Sequence, residues 1–402
     1  MWPSSSSGAV CAMLLAMGSG VACGGEGGAQ GGQAGHGGSG GGTTISVADV
    51  DIAGTPGTAG VFDPAPMSDD AGHLWMSYSA VRPSPHATTD ASLFQVRTRI
   101  ASSGDAGATW SDSGADPNAL ADADLQVPDP DGGQRWATWR FEVSRLLFDP
   151  WDPEPARRWK LPWHRVMATA GATQGVPQFQ TGWVGLTTAP DPSGPWSAER
   201  KLVTGWGYDA TIDAFLGPPE HPLHDELAGS DQLGGCGFFT EPGLLARPEG
   251  IYMSLVCLGA KNKLVLLRWD HAMSSVEYLG DLLEDEDAAA FSEAGEQYKG
   301  FSATELLETS QAVYLVVTPW VDPPQAYRGC LVFRVSDLAS AGVEREDGVP
   351  VLVQRVSGVP GRFHGACGWS PSASASGMLL SQYEEGEPAA PYHMIATHVA
   401  LP

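Results

Sequence analysis

Short apolar or alternating runs follow one another along residues 44–402, and clusters of Gly, Pro, Asp and Ser separate them. Such runs between turn-forming clusters are typical of β-strands. Five runs in the central position of a repeated unit look alike: HLWMSYSAV (73–81), RRWKLPWHRV (157–166), GIYMSLVCL (250–258), AVYLVVTPW (312–320) and GMLLSQYEE (377–385). The pattern therefore predicts an all-β chain with a five-fold repeat.

Each central run has one strand-like run before it and another after it. The runs that follow are SLFQVRTRI, TGWVGLTTA, LVLLRWDHA, CLVFRVSDL and YHMIATHVA. One sheet per repeat predicts a five-bladed β-propeller, and a pair of β-sandwiches is the competing architecture. The last unit ends at its third strand, so TTISVADVDI (43–52) is available to close the ring as the outer strand of the fifth blade. The propeller domain is thus predicted to span 43–402.

The first residues differ sharply in composition from the rest of the chain. Residues 1–22 contain the apolar stretch AVCAMLLAMGSGVA, and with Cys23 they resemble a bacterial lipoprotein signal peptide. The resemblance implies a lipid on Cys23 and an exported protein held at the outer membrane or cell surface of a bacterium. An ordinary secretory signal is the alternative, because MWPSSSSG lacks Lys and Arg. The Gly-rich residues 23–42 indicate a flexible tether.

Export makes disulfide bonds plausible for the four cysteines beyond the tether. Three pairings are possible; neighbouring strands favour Cys236–Cys257 and Cys330–Cys367, and four buried thiols are the alternative. The formal charge of −25 argues against a nucleic-acid partner, whose phosphates require Lys and Arg. The sequence lacks an apolar run of about 18 residues, the length needed to span a bilayer. Any membrane contact is therefore expected through lipid alone.

One turn has a known form. Ser103-Gly-Asp-Ala-Gly-Ala-Thr-Trp110 resembles the Asp-box, which lies between outer strands of sialidases and other propellers. In this interpretation Asp105 accepts backbone N–H bonds, Gly107 supplies a positive φ and Trp110 packs between sheets. The motif supports the fold and says little about chemistry.

Polar residues recur near the start of the first strand of each unit, which in a propeller lines the central channel. They are Asp63, Glu142, Glu241, Ser302 or Glu305, and His364. Three successive blades thus offer a carboxylate at a comparable place. Glycoside hydrolysis requires one protonated and one ionised carboxyl group, and such a set could supply both. The competing interpretation is that Asp63 and Glu241 only satisfy backbone N–H groups at strand ends.

These residues also carry a resemblance to the five-bladed arabinanases, xylosidases and invertases, which include glycoside hydrolase family 43. The motifs are Phe62-Asp63-Pro64, Thr240-Glu241-Pro242 with Gly250-Ile251-Tyr252, and APDPSGPW (189–196). The resemblance implies that Asp63 is the general base, that Glu241 is the general acid, and that a second-blade Asp tunes the acid. Glu142 stands where that Asp is expected, with Asp149 as an alternative.

The predicted function is hydrolysis of a glycan, with Arg140, Arg362 and His364 as substrate-binding residues. Relatives imply no cofactor apart from a central Ca²⁺ near His364. A catalytically silent propeller that binds carbohydrate or protein is the second hypothesis. A sialidase is the third, and it requires an arginine cluster for which Arg140, Arg145, Arg328 and Arg362 are the candidates.

Overall fold

The computed structural model describes residues 47–55, 60–84, 86, 93–118, 124–128, 133–169, 177–204, 208–209, 214–215, 233, 236–259, 261–293, 295–321, 326–357, 362–384 and 392–402. The predicted signal peptide, the lipidation site Cys23 and the tether lie outside these residues, so export and anchoring stay predictions. Within the described residues, no helix has the length and apolarity needed to cross a membrane.

β-Strands make up most of the regular structure. Two short strands come first, β1 (Ala48–Val50) and β2 (Ile52–Ala53). The first blade contains β3 (Gly60–Ser68), β4 (Leu74–Pro83), β5 (Phe94–Ser103) and β6 (Trp110–Asp112). The second contains β7 (Asp124–Pro128), β8 (Gln134–Glu142), β9 (Leu147–Phe148), β10 (Trp159–Thr169), β11 (Pro177–Ala189) and β12 (Arg200–Thr204). A hairpin of β13 (Tyr208–Asp209) and β14 (Ala214–Phe215) follows it.

The remaining strands form three further blades. The third contains β15 (Cys236–Arg247), β16 (Gly250–Gly259), β17 (Lys263–Trp269) and β18 (Val276–Glu284), and the short helix α1 (Asp285–Ala288) follows it. The fourth contains β19 (Gly300–Glu308), β20 (Val313–Val321), β21 (Ala326–Tyr327), β22 (Cys330–Asp337), β23 (Gly342–Val343), the hairpin β24 (Arg345–Glu346) and β25 (Val349–Pro350), and β26 (Leu352–Val356). The fifth contains β27 (Arg362–Gly368), β28 (Leu379–Glu384) and β29 (His393–Ala396).

The blades follow one another around a ring. β5 contacts β8, β11 contacts β15, β15 contacts β19, β19 contacts β27, and β27 returns to β3, so each blade meets the next and the fifth meets the first. Apolar clusters fill the space between blades; one joins Leu266 of β17 to Phe301 of β19. Another joins Trp110 of β6 to Leu379 of β28. The prediction of a five-bladed propeller is confirmed.

The N-terminal strand closes the ring. β1 pairs antiparallel with β29, with Ala48 opposite Ala396 and Val50 opposite Met394, so it completes the fifth blade as its fourth strand. The prediction of closure by residues 43–52 is confirmed for the described part of that segment. Two residues later, β2 pairs in parallel with β6, with Ile52 opposite Trp110. The segment therefore belongs to the fifth and the first blade at once.

Two disulfide bonds have the predicted pairing. Cys236–Cys257 joins β15 and β16 within the third blade. Cys330–Cys367 instead joins β22 of the fourth blade to β27 of the fifth. The second bond thus links neighbouring blades and not neighbouring strands of one sheet.

The Ser103–Trp110 turn has the hydrogen bonds that its sequence predicts. Asp105 Oδ1 accepts the N–H of Thr109 at 2.8 Å, and Gly107 donates its N–H to Ser103 Oγ at 2.9 Å. Gly107 has a φ of +87°, and a Cβ atom there would lie 3.3 Å from Ala373 of the fifth blade. The turn therefore packs the outer edge of the first blade against the fifth.

Candidate active site

One residue of each blade, on the innermost segment of chain, has a left-handed backbone. Their φ values lie between 46° and 56°, and none of them is glycine: Asp63, Val143, Glu241, Ala303 and Ala366. In four blades the pairing register shifts at this residue. In the second blade the residue lies between β8 and β9. Strained backbone of this kind costs about 1–3 kcal/mol per residue and is concentrated at functional sites.

The bulge lets the Asp63 carboxylate reach the second blade. Asp63 Oδ2 accepts the backbone N–H of Val143 at 2.9 Å and the hydroxyl of Ser79 at 3.0 Å. The N–H of Asp63 donates to Ser381 Oγ of the fifth blade at 2.8 Å. Asp63 is therefore fixed from both neighbouring blades.

Glu241 repeats this arrangement between the third and fourth blades. Its Oε2 accepts the backbone N–H of Ala303 at 2.6 Å and a short hydrogen bond from the hydroxyl of Ser302. Thr304 Oγ1 donates to the carbonyl of Glu241 at 2.9 Å. Each of the two carboxylates thus holds the left-handed residue of the blade that follows it.

Asp63 and Glu241 line the same small pocket at the axis. Its other polar walls come from Tyr327, Ser381 and Tyr392. The space open to the centre of a water molecule is about 20 Å³. A volume of about 10–15 Å³ is sufficient for one water. As bounded by the described residues, this pocket has room for a water molecule and none for a sugar ring.

Burial dominates the protonation of the axial carboxyl groups. It raises the pKa of Asp63 to about 6, against the lowering effect of the Val143 N–H and of the Arg145 charge. Burial also raises the pKa of Glu241, while hydrogen bonds from Ala303 and Ser302 oppose the rise. The charge of Glu241 contributes to the raised pKa of Asp63, so the two groups interact across the pocket.

Glu142 lies one residue before the left-handed position of its blade, which Val143 occupies. It corresponds in position to Ser302, the residue before Ala303. Burial raises the pKa of Glu142 to about 7, and the charges of Asp63 and Glu241 raise it further, against Arg140. Glu142 Oε1 has no hydrogen-bond partner among the described residues. The three predicted carboxylates are thus brought together, with Glu142 one step out of register.

Arg145, Glu305 and His164 add to the site. Arg145 is buried and donates to the carbonyl of Thr304 across the axis at 3.4 Å. Burial raises the pKa of Glu305 to about 8, and the Arg145 charge opposes the rise. His164 lies opposite Glu142 in the sheet, its Nδ1 is 2.7 Å from Thr240 Oγ1, and burial lowers its pKa to about 3.

Sequence reasoning found these three residues only in part. The sequence offers Arg145 only as an arginine of the sialidase hypothesis, and Glu305 only as an alternative to Ser302. Both are charged residues that lie two positions after the left-handed residue of their blade. His164 carried no signal beyond its place in an apolar central strand.

The predicted substrate-binding residues divide between two places. Arg140 is buried beside Glu142 and Tyr392, and it donates from Nε to the carbonyl of Phe94 at 3.2 Å. His364 is buried on β27 and donates from Nδ1 to the carbonyl of Arg362 at 2.9 Å. Among the described residues that line the axial pocket, Arg140, Arg362 and His364 are all absent, and so is Glu142.

The arginines of the sialidase hypothesis have separate partners. Arg328 forms a two-contact ion pair with Glu296, at 2.6 and 2.7 Å. Arg140 and Arg145 donate to backbone carbonyls, as described above. Within the described residues, no group of three or more His, Cys, Asp and Glu side chains is arranged to hold a metal ion.

Glycoside hydrolases are among the solved structures that resemble the chain. A family 117 glycoside hydrolase of Zobellia galactanivorans is 11% identical with a TM-score of 0.48, and the alignment covers 87% of this chain and 89% of that one. The catalytic domain of a family 62 α-L-arabinofuranosidase from Coprinopsis cinerea is 11% identical with a TM-score of 0.47, covering 87% and 96%. A family 43 endo-arabinanase from Bacillus licheniformis is 13% identical with a TM-score of 0.41, covering 86% and 96%.

No protein-family model matches the sequence, and no curated protein sequence matches it. The likeness to solved structures is one of fold.

Proposed function

We propose that the chain is a glycoside hydrolase with Glu241 as general acid and Asp63 as general base. The observation that carries the proposal is their placement: two buried carboxyl groups on opposite blades share one axial pocket, and each is fixed by backbone of the next blade. Acid–base hydrolysis requires two carboxyl groups held in place, one to donate a proton and one to activate a water.

The surroundings of the two groups suit different roles. Asp63 accepts two hydrogen bonds on Oδ2, and with a pKa of about 6 it is mostly ionised at neutral pH. An ionised carboxylate can take a proton from water. Glu241 has its pKa raised chiefly by burial, which favours the protonated form that donates to the leaving oxygen.

With Asp63 as base and Glu241 as acid the proposed reaction is inverting, and a sugar ring can reach the two groups only if this small pocket widens on binding. In such a reaction the base activates a water that attacks the sugar from the side opposite the leaving group. Glu142 is placed to influence this step, because it lies within charge range of both Asp63 and Glu241. We assign it a tuning or substrate-orienting role. A Ca²⁺ near His364 stays a prediction.

The test begins with turnover of arabinan, xylan, fructan and sialoside substrates by the wild-type protein. Glu241→Gln is expected to lower kcat by about 10²–10⁴ on substrates with poor leaving groups and less on activated aryl glycosides, because those need no proton donor. Asp63→Asn is expected to be severe on both. Glu346→Gln, at an exposed position, is the matched control. Full activity of Glu241→Gln on a natural glycan would remove the assignment.

A catalytically silent binding propeller is the second candidate, and one observation favours it. Both carboxylates already satisfy a backbone N–H of the next blade, which is a sufficient structural reason for a buried acid. Saturable glycan binding without turnover of any of these substrates would support this candidate against the first.

A further inference from the structure

A second pocket, of about 530 Å³, lies between the first and second blades and shares no lining residue with the axial pocket. One wall is the segment 114–118, which follows β6, and the other is the segment 193–199, which precedes β12. Trp163 and Arg165 of β10 complete the lining. Small-molecule sites in proteins typically have volumes of about 300–1,000 Å³, so this pocket can hold one or two sugar rings.

Two residues of the lining carry a buried donor that has no acceptor among the described residues. Asn118 is 2% exposed, and its Oδ1 accepts the N–H of Thr98 at 2.9 Å, whereas its Nδ2 has no hydrogen-bond partner among the described residues. Arg165 Nε is likewise without a partner there. Both atoms are covered by protein and have almost no surface open to the pocket, so a ligand bonds to the exposed polar atoms of the lining instead.

Arg165 is held rigidly. Its guanidinium lies over the rings of Trp139, Phe141 and Trp183 at 4.5, 4.9 and 4.6 Å. Its Nη1 contacts Glu199 Oε2, and Glu199 Oε1 accepts the indole N–H of Trp163 at 2.9 Å. A site whose polar groups are fixed before binding loses little entropy when a ligand arrives.

The charges of the lining are compensated. Arg165 is paired with Glu199, and Asp116 lies 3.8 Å from Arg99. A pocket with no net charge to offer favours a neutral polar ligand over an ion.

Trp196 provides an apolar surface at the mouth of the pocket. Its ring is partly exposed, and its indole N–H donates to the carbonyl of Pro192 at 3.2 Å, which fixes the ring. An aromatic face beside carboxylate acceptors matches a sugar ring, which has an apolar C–H face and a rim of hydroxyl groups.

The geometry points to a neutral-oligosaccharide binding site in this pocket, separate from the axial carboxylates. Trp196 stacks on a sugar ring, and the partly exposed carboxylates of Asp116 and Glu199 accept hydrogen bonds from its hydroxyl groups. The inference rests on the proposed function for the class of ligand only, because it requires no catalysis.

The test is calorimetric titration of the full chain with arabinohexaose, xylohexaose and, as a charged comparison, 3′-sialyllactose. The titrations use Asp63→Asn as background, so that turnover does not consume the probe. Trp196→Ala is expected to lower the number of neutral hexasaccharides bound per chain by one, and Trp196→Phe to keep that number. Asp116→Asn, which replaces a carboxylate acceptor by a weaker neutral one, is expected to weaken binding.

Trp151→Ala is the matched control, because this tryptophan is 42% exposed and does not line the pocket. Circular dichroism and thermal unfolding check that each variant is folded. Equal binding by Trp196→Ala and Trp151→Ala overturns the inference, as does Trp196-dependent binding confined to 3′-sialyllactose. Trp196-dependent binding of a hexasaccharide without any hydrolysis by the wild type keeps this inference and removes only the proposed function.

Discussion

Few positive charges lie near the four buried carboxyl groups at the axis, which belong to Asp63, Glu142, Glu241 and Glu305. Arg145 is within charge range of Asp63, Glu241 and Glu305, while Arg140 acts on Glu142. In each case burial has the largest effect on the pKa, and it favours the protonated form. The site at neutral pH is therefore expected to hold protons that the unfolded chain would release.

Glu305 allows this expectation to be measured. Its folded pKa is about 8, above the usual 4.5, so between pH 5 and 8 the folded chain keeps a proton that the unfolded chain loses. The unfolding free energy must then fall as pH rises through this window. Glu305→Gln removes the effect. The melting temperature of the variant minus that of the wild type is therefore expected to be roughly 2–4 °C larger at pH 8 than at pH 5.

Because the difference between variant and wild type is compared at two pH values, any effect of the substitution on stability that does not depend on pH cancels. Glu346→Gln, at an exposed position, should show no such difference. A constant difference between Glu305→Gln and wild type across the window would show that Glu305 is ionised in the folded protein.

The acidic residues of the site could be predicted from the sequence, but the left-handed backbone conformation that positions them could not. Asp63 and Glu241 were recognisable in short motifs, but each precedes a proline, which locally favours an extended conformation. Val143 is β-branched, and no local rule places such a residue at a positive φ. Contacts with the neighbouring blade impose this conformation, so the register of Glu142 could not be read from its own blade.

At the scale of the element, the segment 48–53 serves two sheets. β1 covers the edge of β29, and β2 covers β6, so the segment joins the ends of the ring. The first role followed from counting strands, because the last repeat lacked its outer one. The second could not be predicted, since a parallel pair of two residues has no sequence pattern of its own.

Deleting residues 43–52 is expected to expose the edges of β29 and β6 and to lower the melting temperature by 10 °C or more, on the order of what loss of several core contacts produces. Deleting residues 24–42 is the control; a Gly-rich tether buries little apolar surface, so it should change the melting temperature little. The measurement is thermal unfolding of both variants by circular dichroism. Equal melting temperatures for the two deletions would contradict closure by this segment.

At the scale of the whole molecule, several bonds connect blades at or near the axis. Asp63 binds Val143, Glu241 binds Ala303, and the Cys330–Cys367 disulfide joins the last two blades. Arg145 differs from these because it crosses the ring, from the second blade to the carbonyl of Thr304 in the fourth. Its charge reaches carboxyl groups of three blades, so it links the stability of the ring to the ionisation of the site.

Arg145→Met tests this link. The arginine lowers the pKa of Asp63, Glu241 and Glu305, so its loss should raise all three and favour their protonated forms. At pH 8 the variant must bury carboxylates without a nearby cation or take up protons, and we expect a loss of about 3 kcal/mol in unfolding free energy. At pH 5 Glu305, with a pKa of about 8, and Asp63, with a pKa of about 6, are already largely protonated, so the loss should be smaller.

The comparison needs denaturant unfolding of wild type and variant at both pH values. Arg334→Met is the matched control, because this arginine is about half exposed and its pair with Glu344 lies on the surface. Its effect should be small at either pH, since exposed ion pairs contribute about 0–1 kcal/mol. If Arg145→Met lost the same free energy at pH 5 and pH 8, Arg145 would stabilise the ring through packing and its bond to Thr304, and the charge link to the carboxylates would be wrong.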